Sequence, residues 1–198
     1  MADRDALEQR ILDAALERIL QLGIRRASLD DIARRAGINR VTIYRRFTTK
    51  ENLVELVLAR EVRRSLAKIT AVGSAATGVD AQIEQTMLAL IREIRTSPIV
   101  TQLFHVTPEE TLSFYTVRGE QLVQLGVAYI AQYIEQGQSD GSLDAYDPRP
   151  VAELLARLAH SILLTPVGGI DFDDGEQVRA FVRTCMVPLL KHGVGAAH

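Results

Sequence analysis

Apolar spacing constrains this chain more than anything else in it. Hydrophobic side chains recur three and four positions apart along nearly the whole sequence, and the alternate-residue pattern of a half-buried strand is almost missing. Only a period of about 3.6 residues brings such positions onto one face, so the chain is confined to an all-α fold. Its 198 residues, 47% hydrophobic and 24% charged, hold enough apolar surface for one large packed domain or two small ones.

Glycines, prolines and short polar residues punctuate the pattern. A first helix is expected from about Arg4 to Leu22, with Leu12, Ala15, Leu16 and Ile19 on one face and Gly23 ending it. Ser28 reads as an N-cap, with Asp30 and Asp31 in the first turn favouring the helix dipole, and Gly37 closes that short helix after Ala36. Asn39 reads as the next N-cap, opening a helix to about Phe47. Thr48 and Glu51 have the spacing of a capping box that starts a long helix to about Thr70. Residues 73–78 then separate this helix from one over about 80–96, striped by Ile83, Met87, Leu90, Ile91 and Ile94. Pro98 opens a short segment, and Pro108 a long helix over about 109–136. After a polar turn region, helices over about 149–164 and 174–190 close the chain. The last carries Val178, Phe181, Val182, Cys185, Met186 and Leu189 as an unbroken stripe.

The net charge of −2 conceals an asymmetry. Residues 1–50 hold 11 basic against 7 acidic side chains, while 51–198 hold 12 against 18. Within 25–50 there are 8 basic residues and 2 acidic ones. A basic end on an acidic body suits contact with a polyanion. Cys185 is alone, so no intrachain disulfide can form, and within its apolar stripe it reads as a buried thiol of a reducing compartment. Met1 to Arg10 is polar and acidic, unlike a signal peptide, and no apolar run approaches the ~18 residues of a membrane span. A cytoplasmic protein is expected. The glycine- and histidine-based motifs of hydrolases, metalloproteases and nucleotide-binding loops are missing. His105 with Glu109 and Glu110 around Pro108 reads as a surface turn. No catalytic residue, metal site or cofactor is therefore expected.

The informative segment runs from Ser28 to Leu53. Its two short helices meet at a turn containing Gly37, a residue that tolerates positive φ, and Ile32, Ala33, Ile38, Ile43 and Phe47 can share a small core. This is the helix-turn-helix arrangement whose second helix enters a DNA major groove. Asn39, Arg40 and Thr42 lie at the start of that helix, where side chains reach base edges. Arg40 can bond guanine through two N–H groups, and Val41 and the Thr42 methyl can touch a thymine methyl. Tyr44, Arg46 and Lys50 lie further along, where phosphates would be held; Ser28 and Arg45 complete the candidate DNA-binding set.

The segment resembles the DNA-binding domain of the TetR family of regulators. The family pattern is roughly a Ser or Thr cap followed by I-A-x-x-A-G-V-S-x-x-T-[IVL]-Y-x-[HRY]-F-x-x-K-x-x-L. The chain matches it at Ser28, Ile32, Ala33, Ala36, Gly37, Thr42, Ile43, Tyr44, Phe47, Lys50 and Leu53. Asn39 stands where Ser is frequent, Val41 where a smaller residue or Pro is common, and Arg46 where His is frequent. The resemblance implies a DNA-binding domain over residues 1–50 and a helical ligand-binding and dimerisation domain over 51–198. It further implies a homodimer on a palindromic operator, acting as a repressor and released by a small, mostly apolar inducer. A four-helix dimer interface would draw on Leu155, Leu158, Ile162, Val178, Phe181, Val182 and Cys185. An inducer pocket would draw on Met87, Phe104, His105, Phe114, Tyr115, Arg118 and His160. The alternative is a regulator of the same DNA-binding type that is controlled by a protein partner or has no inducer.

Overall fold

The computed structural model describes residues 2–117, 119–165 and 168–194, with side chains from Asp5 onward. Among the described residues the regular structure is helical: α1 (Ala2–Leu22), α2 (Leu29–Ala36), α3 (Arg40–Phe47), α4 (Lys50–Ser74), α5 (Val79–Thr96), α6 (Pro98–Val106), α7 (Pro108–Val117), α8 (Glu120–Ser139), α9 (Pro148–Leu164), α10 (Gly175–Phe181), a π-helical turn (Val182–Met186) and α11 (Val187–His192). The chain divides into two compact units. The first runs up to Ser65 and includes Pro98–Thr111; the second comprises Leu66–Ser97 and the chain from Leu112 onward. The boundary expected after residue 50 falls at the start of α4, which continues without interruption from the first unit into the second.

In the first unit α1 packs on α2 and α6, and α2 on α3. Ile11, Ala15 and Ile19 from α1, Ile32 from α2, Ile43 and Phe47 from α3, and Leu53 and Val57 from α4 are all buried. Removing these side chains from water is the main force that fixes such short helices, which are marginal on their own. In the second unit α8 pairs with α9, and α5 packs against α9, α10, the π turn and α11. Its core gathers Ile83, Met87 and Ile91 with Ile130, Ile134, Leu155, Val182 and Leu190.

Four local expectations are corrected. Thr48 does not open a capping box. It ends α3 at φ 61°, so the capping role passes to Thr49, whose hydroxyl accepts from the Asn52 N–H at 3.2 Å. Gly73 is no linker residue: it is buried within α4, where a Cβ would collide with the Thr86 hydroxyl. The helix expected over 109–136 is two helices, α7 and α8. Gly119 opens the second, where a Cβ would run into the Tyr115 carbonyl oxygen. The closing helix is broken by the π turn. Pro188 lacks an N–H and its ring crowds the carbonyl one turn back, so the preceding turn widens. That extra residue turns the buried stripe to Val178, Val182, Met186 and Leu190 and leaves Cys185 exposed, not buried as its apolar surroundings suggested.

Candidate nucleic-acid interface

The two short helices of the first unit are each set by a side-chain cap. The Ser28 hydroxyl accepts from the Asp31 N–H at 3.1 Å and donates to the Asp31 carboxylate at 2.7 Å, opening α2. The same hydroxyl, with Arg34 behind it, holds the Asp31 carboxyl below its usual range. Gly37 closes α2 at φ 65°, a left-handed geometry that any Cβ would strain. Its N–H donates to the Arg34 carbonyl at 3.2 Å and the Ile38 N–H to that of Ala33 at 3.0 Å. Two residues on, Asn39 Oδ1 accepts from the Val41 N–H at 2.9 Å and starts α3.

With Ile43 and Phe47 buried, the opposite face of α3 stands in solvent. Val41 is 68% exposed and Tyr44 41% exposed, and Arg40 and Arg45 are exposed beside them; Thr42 is half-buried. An exposed valine on a short basic helix gains nothing from water, and it is the group a thymine methyl would cover. Arg40 is held from two sides. Its Nε lies 2.9 Å from Asp30 Oδ1 and its Nη1 donates to Oδ2 at 3.0 Å. Its Nη2 donates to the Tyr44 hydroxyl at 3.2 Å, with the guanidinium carbon 5.1 Å from the ring centroid. The Tyr44 hydroxyl, and then Asp30, raise the Arg40 pKa further, so this group stays cationic.

Other members of the expected set are tied up within the unit. Arg46 Nη2 lies 2.7 Å from Glu8 Oε2, with its Nε at 3.1 Å, fastening α3 to α1. Lys50 Nζ donates to the Arg25 carbonyl at 2.6 Å, and burial pushes this ammonium below its ordinary pKa against the opposing pull of Glu110 and Glu51. Ser28 and Asn39 are engaged as caps. Arg34 pairs with Asp31, and Arg35 Nε lies 2.6 Å from Glu17. Four of the eight basic residues in 25–50 thus meet a carboxylate of α1 or α2. Sequence reading missed the role of Asp30, taken only as a partner of the helix dipole. Nothing in a ten-residue separation foretells its contact with Arg40.

The expected pocket residues are divided between the two units. Met87 and Tyr115 are buried in the second unit, and Phe114 is half-buried with its ring edge-on to Tyr115 at 5.6 Å. Burial pushes the Tyr115 hydroxyl up to about 12. His160 Nε2 lies 2.9 Å from the Tyr115 carbonyl oxygen. Phe104 and His105, on α6, belong to the first unit, and Arg118 lies outside the described residues. Of the expected dimer residues, Leu155, Ile162, Val178 and Val182 are buried in the second unit's own core, and Leu158 and Phe181 pack partly against it. Leu154, one position from Leu155, is 49% exposed. Among the described residues, no cluster of His, Cys, Asp and Glu is placed to hold a metal, and no helix is long and apolar enough to cross a membrane.

Residues 11–57 match the sequence model of the bacterial regulatory proteins of the tetR family. The chain is 26% identical over 161 residues to the uncharacterized HTH-type transcriptional regulator Mb2274c of Mycobacterium bovis, covering 81% of this chain and 82% of that one. It is 43% identical over 58 residues to the HTH-type transcriptional regulator SrpR of Pseudomonas putida, covering 29% of this chain and 27% of that one. In fold it is similar to the TetR family repressor AlkX of a Dietzia strain, whose crystal structure superposes with a TM-score of 0.68 at 16% identity, over 92% of this chain and 94% of that one.

Proposed function

Since the chain belongs to the TetR family of DNA-binding transcriptional regulators and is not an enzyme, we propose that it works as a cytoplasmic, dimeric repressor on a palindromic operator. The observation that carries this reading is the solvent-facing side of α3, where Arg40, Val41, Tyr44 and Arg45 stand together on a helix fixed from behind by Ile43 and Phe47. Arg40 bonds a guanine edge, Val41 and the Thr42 methyl cover a thymine methyl, and Tyr44 and Arg45 meet phosphates. Two copies place two such helices in successive major grooves, about 34 Å apart, which requires a palindromic site.

Release by a small, mostly apolar molecule belongs to the same proposal. It draws on the second unit, where Met87, Phe114, Tyr115 and His160 combine apolar surface with a few polar atoms. Repression agrees with the role of AlkX, a TetR family repressor implicated in n-alkane biodegradation. The test is selection from a library of random duplexes by the full-length protein, followed by footprinting. A palindrome with half-sites one helical turn apart is expected. Enrichment of no sequence would remove the proposal.

A further inference from the structure

We propose that Asp30 is a positioning residue for specificity: it aims the Arg40 guanidinium at a guanine edge and keeps that charge off the DNA backbone. The inference rests on the reading of α3 as the recognition helix. An unrestrained arginine on a helix surface binds any phosphate it can reach, because the fork of N–H donors fits phosphate oxygens as well as a guanine edge. Arg40 is not unrestrained. Asp30, from the first turn of α2, accepts from Nη1 at 3.0 Å and lies 2.9 Å from Nε, and the Tyr44 hydroxyl accepts from Nη2 at 3.2 Å.

Each Nη nitrogen carries two N–H groups, so each keeps one after these contacts. With one N–H left on each Nη nitrogen, the guanidinium can still offer a pair of donors to O6 and N7 of guanine. Guanine can therefore be read without breaking the contact to Asp30. Moving the guanidinium onto a phosphate would instead abandon Asp30, leaving a bare carboxylate beside a polyanion. Asp30 and Arg40 are about equally exposed, at 54% and 59% of their side chains, so the pair contributes little to stability. Its effect falls on DNA discrimination.

The test uses full-length protein, the operator selected from the random library, its single-base variants, and an unrelated duplex, titrated between 50 and 200 mM salt. Asp30→Asn keeps the size and removes the charge. It should bind unrelated duplex more tightly, with a salt slope steeper by up to about one unit. Its ratio of operator to unrelated affinity should fall about tenfold, the worth of one good bidentate base contact. The lost preference should concentrate at one guanine per half-site, the same position that Arg40→Ala flattens, and Asp30→Glu should restore it. If Asp30 only supported the α2 dipole, Asp30→Asn would melt earlier and weaken binding to both duplexes alike. That outcome, or an unchanged ratio, overturns the inference while leaving the regulator reading intact. A library from which the unmodified protein enriches nothing overturns both.

Discussion

The ammonium of Lys50 sits on the carbonyl oxygen of Arg25, 2.6 Å away, across a separation of 25 positions that takes in α2 and α3. The first residue of α4 thereby pins the loop that precedes α2. Lysine at this place matches the family pattern, and on sequence it reads as a phosphate contact; the geometry gives one of its three donors an internal acceptor.

Lys50→Met should therefore act first on stability. Losing a charge-assisted bond to a carbonyl costs about 1–2 kcal/mol, and the methionine keeps most of the packed stem. The urea midpoint should fall, and the salt slope of operator binding should stay within about half a unit of the parent. A slope lower by about one unit would put the Lys50 ammonium on a phosphate after all.

Between α3 and α4 the backbone makes a γ-turn of the rare positive-φ hand. Thr48 stands at φ 61° and ψ −53°, and the Thr49 N–H donates to the Phe47 carbonyl at 2.6 Å. For a β-branched residue this conformation is strained, at a cost of about 1–3 kcal/mol. Glycine relieves most of it while loosening the unfolded chain, so Thr48→Gly should stabilise the protein by a net ~1 kcal/mol. Thermal and urea unfolding measure this directly, and a lowered midpoint would mean that the threonine side chain supports the turn.

Most of the architecture was legible in the sequence because helices announce themselves through spacing and caps. Ser28, Gly37 and Asn39 stand at the ends they mark, and α2 and α9 lie within a residue of expectation. The exceptions have local causes. Gly119 and Pro188 change the backbone without interrupting the apolar pattern, so periodicity carries straight across both breaks. Charge pairing was invisible for a different reason. The eight basic residues were countable, but the carboxylates of Glu8, Glu17 and Asp30 reach Arg46, Arg35 and Arg40 only after the helices cross. The residues expected to line a pocket were the least legible, since an aromatic in a core and one lining a cavity have the same spacing.

Glu84 links α5 to the end of the chain. Its two oxygens accept from Arg179 Nη1 at 2.6 Å and from Arg183 Nε at 2.7 Å, with the carboxylate itself only 10% exposed. Arg183, and then Arg179, hold its pKa below the ordinary 4.5. The unfolded chain therefore takes up a proton here before the folded one does. The contribution of Glu84 is complete above 4.5 and is lost as the pH falls through the lowered value. Glu84→Gln should cost about 1–2 kcal/mol near neutrality and progressively less in acid. Urea midpoints of the two proteins should converge as the pH approaches 3. A difference that stays constant with pH would show that packing, not ionisation, sets the loss.

Leu154 offers the sharpest test of assembly. It is 49% exposed on α9, beside Leu155, which is buried in the chain's own core at 2% exposure. Val182, by contrast, is 0% exposed within one chain, so a charge there would unfold the protein whether or not it dimerises. If α9 forms part of the proposed interface, Leu154 supplies apolar surface to it, and Leu154→Glu places a carboxylate where a second copy excludes water. The penalty of about 3 kcal/mol corresponds to roughly a hundredfold weaker dimer. Sedimentation velocity at micromolar protein should then find a monomer with an unchanged circular dichroism spectrum, since the side chain faces solvent in the single chain, and a melting point lowered only by the loss of the partner subunit. Binding to a full palindrome should fall to the level of a half-site, because each subunit reads only one. A Leu154→Glu protein that sediments as the parent dimer would move the interface off this part of α9, and a monomeric parent would end the dimer proposal altogether.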